Sequence, residues 1–390
     1  MKYDIAVIGA GPAGLSFVQA LSDTSLKIAV IEKQSSKVLS MPPDDGREIA
    51  LTHHSKKILV NLGIWEVIDK EIISLIKEAK VLNGTSPYSL HFNHQDTIEN
   101  TLGYLVPNNM IRAAAYKKVR ESSNIKVMSN VVVESFTTDI NSVQLQLSNQ
   151  KTLEADLLIA ADGRLTNTRR QMGIPTEVKD FGKTCIVCKM KHNKPHNHLA
   201  YECFHYGRTL AVLPMAGNYS SIVITISSKK AESIMQMDDQ DFNQDIASRF
   251  NHRFGEMQLE GERHAYPLIA VHANYFHSTR FALIGDASVG MHPVTAHGFN
   301  LGLKGAQILA DLIKDALSRN LDIASENVLK QYNQKHQRNT RPLYHGTNLM
   351  VDLFNSEKIS AKVLRRTALR FGNNFTPIKK IIMNQLTETH

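Results

Sequence analysis

Along this chain the apolar positions switch between two periods, and the switches outline its architecture. Residues 3–8 (YDIAVI) and 27–31 (KIAVI) are short unbroken apolar runs, the mark of strands buried on both faces. Between them, 14–23 carries apolar residues at helical spacing. The three together predict strand, glycine turn, helix and strand, with the two strands parallel. Helical spacing recurs over 54–62 and over 108–121, the latter opening on Asn108 as its N-cap. Segments 125–133 and 143–147 alternate as strands do, and 155–160 reads as another buried strand. From about 176 to 271 the pattern is mostly strands, among them LAYECFHY, TLAVLP and SIVITIS, with a helix expected at 239–252. Buried-strand character returns in FALIG (281–285), a long helix follows over 299–317, and further helices are expected from about 325.

An α/β pattern interrupted by a β-rich stretch implies a nucleotide-binding domain built from separate pieces of chain. We assign 1–75, 101–175 and 272–340 to a Rossmann-like α/β domain. An inserted substrate domain with an antiparallel sheet takes 76–100 and 176–271, and 341–390 forms a C-terminal helical segment. The length of 390 residues fits two interlocked domains better than one core.

Composition narrows the setting. Three cysteines are too few for a disulfide framework, and an odd count fits a reducing compartment. Cys185 and Cys188 form a CxxC, but within a strand residues three apart face opposite sides, so two buried thiols are expected rather than a zinc or redox site. The run KHNKPHNH, holding His192 and His198, has no metal-ligand spacing and reads as a turn, so no metal is expected. MKYDIAVIGAGPAG begins on a strand pattern without the features of a signal peptide, and no apolar run reaches spanning length. A cytoplasmic protein is expected, or one peripheral on the inner face of a membrane. The net charge of +8 asks for an anionic partner, and without a basic-and-aromatic motif that partner is a cofactor or membrane surface, not nucleic acid.

Three motifs carry chemistry. Gly9-Ala10-Gly11-Pro12-Ala13-Gly14 fits GxGxxG at the end of a strand and the start of a helix. Gly9 allows the tight turn, Gly11 the approach of a pyrophosphate, and Gly14 close helix–strand packing, while the helix N-terminus offers free N–H groups. Glu32, followed by Lys33, ends the second strand where a carboxylate can accept from a ribose hydroxyl and would repel a 2′-phosphate, which leaves FAD or NAD. The second motif lies in FALIGDASVGMHPVTAHGFNLG. Asp286 follows a buried strand and can accept from a ribityl chain. Beyond Pro293, the turn Gly298-Phe299-Asn300 brings backbone N–H groups and a positive helix end together, suited to the negative charge that builds on a reduced flavin. An NAD dehydrogenase has no use for this second site. The third motif, Asp162-Gly163 with Thr166 and Arg169, again follows a strand.

In this order and spacing the motifs resemble those of the single-component (class A) flavoprotein aromatic hydroxylases: the glycine motif, DGxxSxxR with threonine in the serine position, and GDAAH…P…GQGxN. DGREIAL, containing Arg47, resembles DARAIAL, and HPVTAHGFNLGL resembles HPIAGQGFNLGM, of the ubiquinone-biosynthesis (UbiH/UbiF-type) hydroxylases. The nearest branch is the UbiM-like one, and the resemblance covers nearly the whole chain. Two departures stand out. Val289 replaces a polar residue, and His297 replaces the glutamine beside the flavin, where it could titrate near neutral pH or simply shape the pocket.

The resemblance implies a fold like that of p-hydroxybenzoate hydroxylase and non-covalent FAD that captures O2 at C4a as a hydroperoxide. The terminal oxygen then passes to an electron-rich ring, here that of a polyprenyl phenol or quinone precursor of ubiquinone. NAD(P)H or a separate reductase would supply electrons. Gly9, Gly11, Pro12, Ala13, Gly14, Glu32 and Lys33 would hold the ADP half, Arg47 the pyrophosphate or flavin, and Asp286 the ribityl chain. Pro293, Gly298, Phe299 and Asn300 would line the ring, with His297 and Pro293 as candidate catalytic-pocket residues. Asp162 and Arg169 would organise the FAD site, and Asn108 would touch FAD or serve only as a cap. One of His53 and His54 could face the ring. The basic, apolar-interspersed stretch 357–390 could lie on an anionic membrane or in a ubiquinone-biosynthesis complex, or pack on the FAD domain. The alternatives are a hydroxylase of a soluble phenol on the same fold and, in another class, a non-enzymatic prenyl-lipid carrier, which has no need of the Asp286 loop.

Overall fold

The computed structural model describes residues 1–84, 89–205, 208–293, 297–355 and 387–388. The N-terminal pattern folds as expected. Strand β1 (Lys2–Ile8), helix α1 (Pro12–Ala20) and strand β2 (Ile28–Glu32) form a parallel crossover, with Ile5–Ile8 in register with Ile28–Ile31. β2 is buried along its whole length, which explains its unbroken apolar run. On the other side β1 lies parallel to β11 (Thr152–Ala160), whose last three residues pair with β18 (Phe281–Leu283). With β17 (His277–Ser278) and β8 (Ile125–Ser129) at its margins, this central sheet runs β17-β18-β11-β1-β2-β8. A hairpin of β9 (Val133–Thr138) and β10 (Val143–Leu147) adds to the first half of β11. The stretch expected as a single strand over 125–133 is thus two. Asn130 takes a left-handed turn between them, with φ 57°.

Helix α1 packs between α4 (Asn108–Arg120) and α8 (His297–Ser318). It buries Leu15, Phe17 and Val18 completely, each worth roughly 1.5–3 kcal/mol of apolar burial. A small sheet, β3 (Glu48–Leu51), β7 (Gly103–Pro107) and β4 (Ser74–Ile76), bridges to the second large sheet, and α3 (His53–Asn61) follows β3.

The second large sheet runs β19-β16-β12-β15-β14-β13-β5-β6. Its strands are β5 (Glu78–Asn83), β6 (Ser89–Asn93), β12 (Thr176–His192), β13 (Leu199–His205), β14 (Arg208–Pro214), β15 (Tyr219–Ser227), β16 (Met257–Ala273) and β19 (Val289–Gly290). One face is covered by α6 (Ser228–Met235) and α7 (Asp239–Arg249), which bury Ile234, Phe242 and Ile246 against Ile186, Leu210 and Ile224. The sequence pattern does not show α6, and α7 stops short of 252 because Asn251 and His252 adopt left-handed φ of 55° and 48°. The opposite face looks toward the central-sheet domain.

Two sequence expectations are revised. Helix α9 (Glu326–Asn355) runs through 341, so the helical segment does not begin there. Asn108 does not cap α4. Pro107 holds the N-cap position, and the Asn108 amide donates to Asp45 Oδ2 at 2.8 Å instead. Cys185 and Cys188 do fall on opposite faces of β12. Both are buried, and burial pushes each thiol up to about 12, far from a metal-binding or redox-active thiolate. In the histidine-rich turn, His192 is held by Lys194 O and Ser220 Oγ, and His196 Nε2 meets Met215 O. The stretch 357–390 falls outside the described residues apart from 387–388.

Candidate FAD site

Three strand ends and two helix starts meet at one place. Gly9 leaves β1 at φ +105°, and a β-carbon there would lie 2.5 Å from Ala161 O, just past β11. A β-carbon on Gly14 would strike Gly9 O at 2.2 Å. Gly285, leaving β18 at φ +59°, presses on α1: its β-carbon would come within 2.7 Å of Ala13 Cβ, and one on Gly302 within 3.2 Å of Gly285 Cα. The glycine motif, the Asp162 strand end and the Asp286 loop are therefore stacked together, and only residues without side chains fit between them.

What they surround suits a dinucleotide. Around Gly11, the N-cap of α1, a β-carbon would meet nothing within 4 Å, although its neighbours are tightly packed. Pro12 starts the helix, and the first-turn N–H groups lack intrahelical acceptors. Open backbone at a helix N-terminus is what a pyrophosphate requires. Glu32 is buried at the end of β2; its Oε2 accepts from Ala10 N at 2.7 Å and its Oε1 from Gln34 N at 2.8 Å. It thus fixes the glycine loop as well as presenting acceptor lone pairs beyond it. Lys33 beside it is exposed.

Arg47 belongs to a network centred on Asp45. Its guanidinium donates to Asp45 Oδ2 at 2.5 Å, Asn108 donates to the same oxygen, and Tyr266 Oη donates to Asp45 O at 2.7 Å. Burial opposes the charge on Asp45, but Arg47 and Asn108 outweigh it and hold the carboxyl below the usual range. The Arg47 guanidinium also lies over the Tyr266 ring, 5.4 Å from its centroid, joining the two domains.

The other two motifs lock together. Arg164 donates to Asp286 Oδ2 through Nε and Nη2 and to Ile269 O through Nη1. Thr166 caps the short helix α5 (Asn167–Gln171), and buried Arg169 donates to Ala287 O at 2.7 Å and to Arg164 O at 3.0 Å. Asp162 accepts from Thr168. At the start of α8, Asn300 donates to Ala50 O at 2.9 Å and accepts from Thr52 N at 3.2 Å, tying that helix end to β3 and α3. Gly298 and Phe299 lie in the same first turn, with Phe299 packed on the main core, whereas Pro293 is exposed. His297 is buried, as is His292, whose ring meets Phe181 edge-on at 5.0 Å.

The remaining residues divide. His53 Nε2 meets Thr101 O at 2.9 Å, while burial lowers His54 beside Lys304 and Glu388. Arg164, Asp45 and Arg112 were not singled out from sequence. Arg112 lies one helical turn beyond Asn108, donates to Gln34 at 2.8 Å and shares the field of Glu32, Asp45 and Arg47. Its spacing of four from Asn108 is the signal that could have found it.

The FAD binding domain family matches residues 2–344. Ubiquinone hydroxylase UbiM of Neisseria meningitidis is 47% identical over 388 residues, covering 98% of this chain and 84% of that protein. Ubiquinone hydroxylase UbiL of Rhodospirillum rubrum is 27% identical over 386 residues, 99% of this chain and 90% of that protein. Among solved structures, PqsL of P. aeruginosa in complex with 2-aminobenzoylacetate superposes with a TM-score of 0.81 at 15% identity, covering 94% of this chain and all of the other. For p-nitrophenol 4-monooxygenase PnpA of Pseudomonas putida the TM-score is 0.80 at 15% identity, over 99% and 98% of the two chains. These structures share the fold. The cofactor that fits the junction of the three motifs is FAD, and the chain belongs to the FAD-dependent aromatic monooxygenases of the UbiH/UbiF type, in their UbiM-like branch.

Proposed function

We propose that this protein hydroxylates the aromatic ring of a polyprenylated ubiquinone precursor. The observation that carries the reading is where the second sheet sits. Its face away from α6 and α7 bears Cys185, Val187, Val223, Tyr266 and Leu268 and is apposed to the Arg47 loop: Tyr266 holds Asp45, and Val187 packs at Gly46. Phe181 of the same face meets His292 in the loop after Asp286. A ring on this face would lie between apolar strands and the flavin-binding loops, away from bulk water, as oxygen transfer requires. Bound, reduced FAD supplies the activation of O2.

The chain's own residues bind and orient. In this reading Gly11, the α1 N-terminus, Glu32 and Arg47 hold the diphosphate half. Asp286, set by Arg164, accepts from the ribityl chain. The first turn of α8, held by Asn300, faces the flavin's pyrimidine edge, and His297 with Pro293 borders the pocket. Electrons come from NAD(P)H or a reductase. No described helix is long and apolar enough to cross a membrane, so a prenylated substrate would be met at a membrane surface or within a biosynthetic complex. Quinone profiling of a deletion strain tests the substrate. A ring-unhydroxylated prenyl phenol should accumulate, and unchanged quinone would remove the assignment.

A further inference from the structure

Within the second sheet, one row of paired residues crosses six strands: Val187 on β12, Val223 on β15, Ala211 on β14, Glu202 on β13, Val81 on β5 and Leu90 on β6. Five are apolar and one is a carboxylic acid. Alternation along β13 fixes where that acid points. Tyr201 and Cys203 pack into the core covered by α6 and α7, so Glu202 between them projects from the opposite face. That is the face whose far end, Val187, meets the Arg47 loop. The carboxylate also acts across the sheet on the Cys185 thiol, which belongs to the same face.

We propose that Glu202 is the acid–base residue of the substrate side: it holds the ring hydroxyl and takes its proton as the neighbouring ring carbon is hydroxylated. The inference rests on the reading of the substrate as a phenol. In the step, the phenolic O–H bond breaks and a carboxyl O–H bond forms. The electron pair stays on the ring oxygen and is donated into the ring, raising the nucleophilicity of the ortho and para carbons. The proton later leaves to solvent. Glu202 is neither oxidised nor reduced, since O2 and the reduced cofactor of the established activity account for the electrons.

The surroundings fit this role. The side chain is half-buried, and beside it Ala200, Val81 and Leu90 pack with Ile76, Leu102 and Leu105. Among the described residues no hydrogen bond or ion pair engages its carboxyl. Burial alone pushes it up to about 8, and an acid or base is most effective near the working pH. The titratable groups that feel it are Cys185 on β12 and Cys203 on its own strand, both thiols raised by burial and then by Glu202. Its partners on β14 and β5, Ala211 and Val81, carry no charge. Along the same face Lys189 lies two residues beyond Val187 and acts on Glu48. On the loops that meet the far end of this face stand Arg47, paired with Asp45, and His292, which touches Phe181. Glu48 is also pushed up to about 8, by burial and then by Asp44, but it lies in a separate recess of about 290 Å³ where Asp44, Glu260, Glu262 and Lys189 share the lining with Met110 and Met215.

The test compares FAD-loaded wild type, Glu202→Gln and Glu202→Asp with a short-chain 2-prenylphenol. Wild-type kcat/KM should rise with pH through an apparent pKa close to 8. Glu202→Gln should lose that limb and fall roughly 100-fold, with its visible flavin spectrum intact, and Glu202→Asp should keep the limb at reduced rate. Binding of 4-nitrophenol to the resting protein, followed by its own colour, gives a readout apart from turnover. The probe should titrate in two coupled steps on wild type and in one on Glu202→Gln. A wild type that hydroxylates the phenol with no limb between pH 6.5 and 9.5, or a Glu202→Gln variant that keeps limb, rate and coupled titration, overturns the inference and leaves the phenol reading standing. A wild type that hydroxylates no phenol overturns both.

Discussion

Arg164 grips Asp286 from the side. Two guanidinium nitrogens donate to the same carboxylate oxygen at 3.2 and 2.9 Å, across 122 residues of chain. Asp286 follows β18 and Arg164 follows β11, so the contact makes one unit of two strand ends that both border the proposed cofactor site. A carboxylate held in this way presents its other oxygen in a fixed direction, as ribityl recognition needs. Arg164→Ala should therefore weaken FAD binding by roughly tenfold, about 1.4 kcal/mol, with little change in the melting temperature of the apoprotein, because both side chains remain partly exposed. Flavin titration followed by fluorescence measures it; unchanged affinity would leave the pair a surface ion pair.

Gly11 and Gly14 make opposite predictions from one motif. A methyl at Gly14 meets the backbone oxygen of Gly9 at 2.2 Å, and neither strand nor helix can shift without disturbing Ala161. Gly14→Ala should cost roughly 2 kcal/mol or more of apoprotein stability and remove FAD binding with it. At Gly11 a methyl meets no protein atom. Gly11→Ala should leave denaturant unfolding within about 0.5 kcal/mol of wild type but weaken FAD binding at least tenfold, because the methyl fills the approach to the phosphate. Equal losses of stability in both variants would contradict this division of roles.

Asn300 holds α8 to β3 by giving to Ala50 O and receiving from Thr52 N while fully enclosed. Asn300→Ala should leave both backbone groups unserved at roughly 1–3 kcal/mol. Asn300→Asp should be at least as harmful despite its shape, because a carboxylate oxygen would then face Ala50 O. Thermal melts with and without FAD check the order; a benign Asn300→Asp would show that α8 is positioned by packing alone.

What the sequence reveals and what it hides follow from distance along the chain. The glycine motif, Asp162 and Asp286 are legible because a tight turn after a strand is a local affair, read within a few residues. The reach of β1 and β2 is legible for the same reason, since burial leaves continuous apolar runs, and that of α8 because its apolar residues recur at helical spacing. Arg164 stayed hidden, although it sits two residues from Asp162, because its role exists only through Asp286. Asn108 reads as a cap by residue type, and only the fold brings Asp45 within reach to claim its amide. Glu202 lies in LAYECFHY, where alternation shows two faces but not which one the helices will cover. That depends on α6 and α7, and α6 left no clear trace in the sequence.

The contact of α9 with the central domain carries a pH sensitivity. His336 is fully buried against Gly305, Phe276 and Tyr332, and burial pushes it down to about 3. His272 nearby, bonded to Thr340 Oγ1, is pushed down to about 4, again by burial. Both folded-state values lie below the unfolded value of about 6.5. Their contribution is thus fully present above pH 6.5 and is lost as pH falls toward 4, where the unfolded chain takes up protons that the folded chain refuses. Between pH 6.5 and pH 5 a single such histidine removes roughly 2 kcal/mol. Among the described residues neither ring nitrogen of His336 has a hydrogen-bond partner, so a leucine there forfeits none. His336→Leu should melt near wild type at pH 7.5 and above it at pH 5, with a shallower acid limb. Melting temperatures of the two proteins from pH 4.5 to pH 8 decide the matter, and parallel curves would place the acid sensitivity elsewhere in the fold.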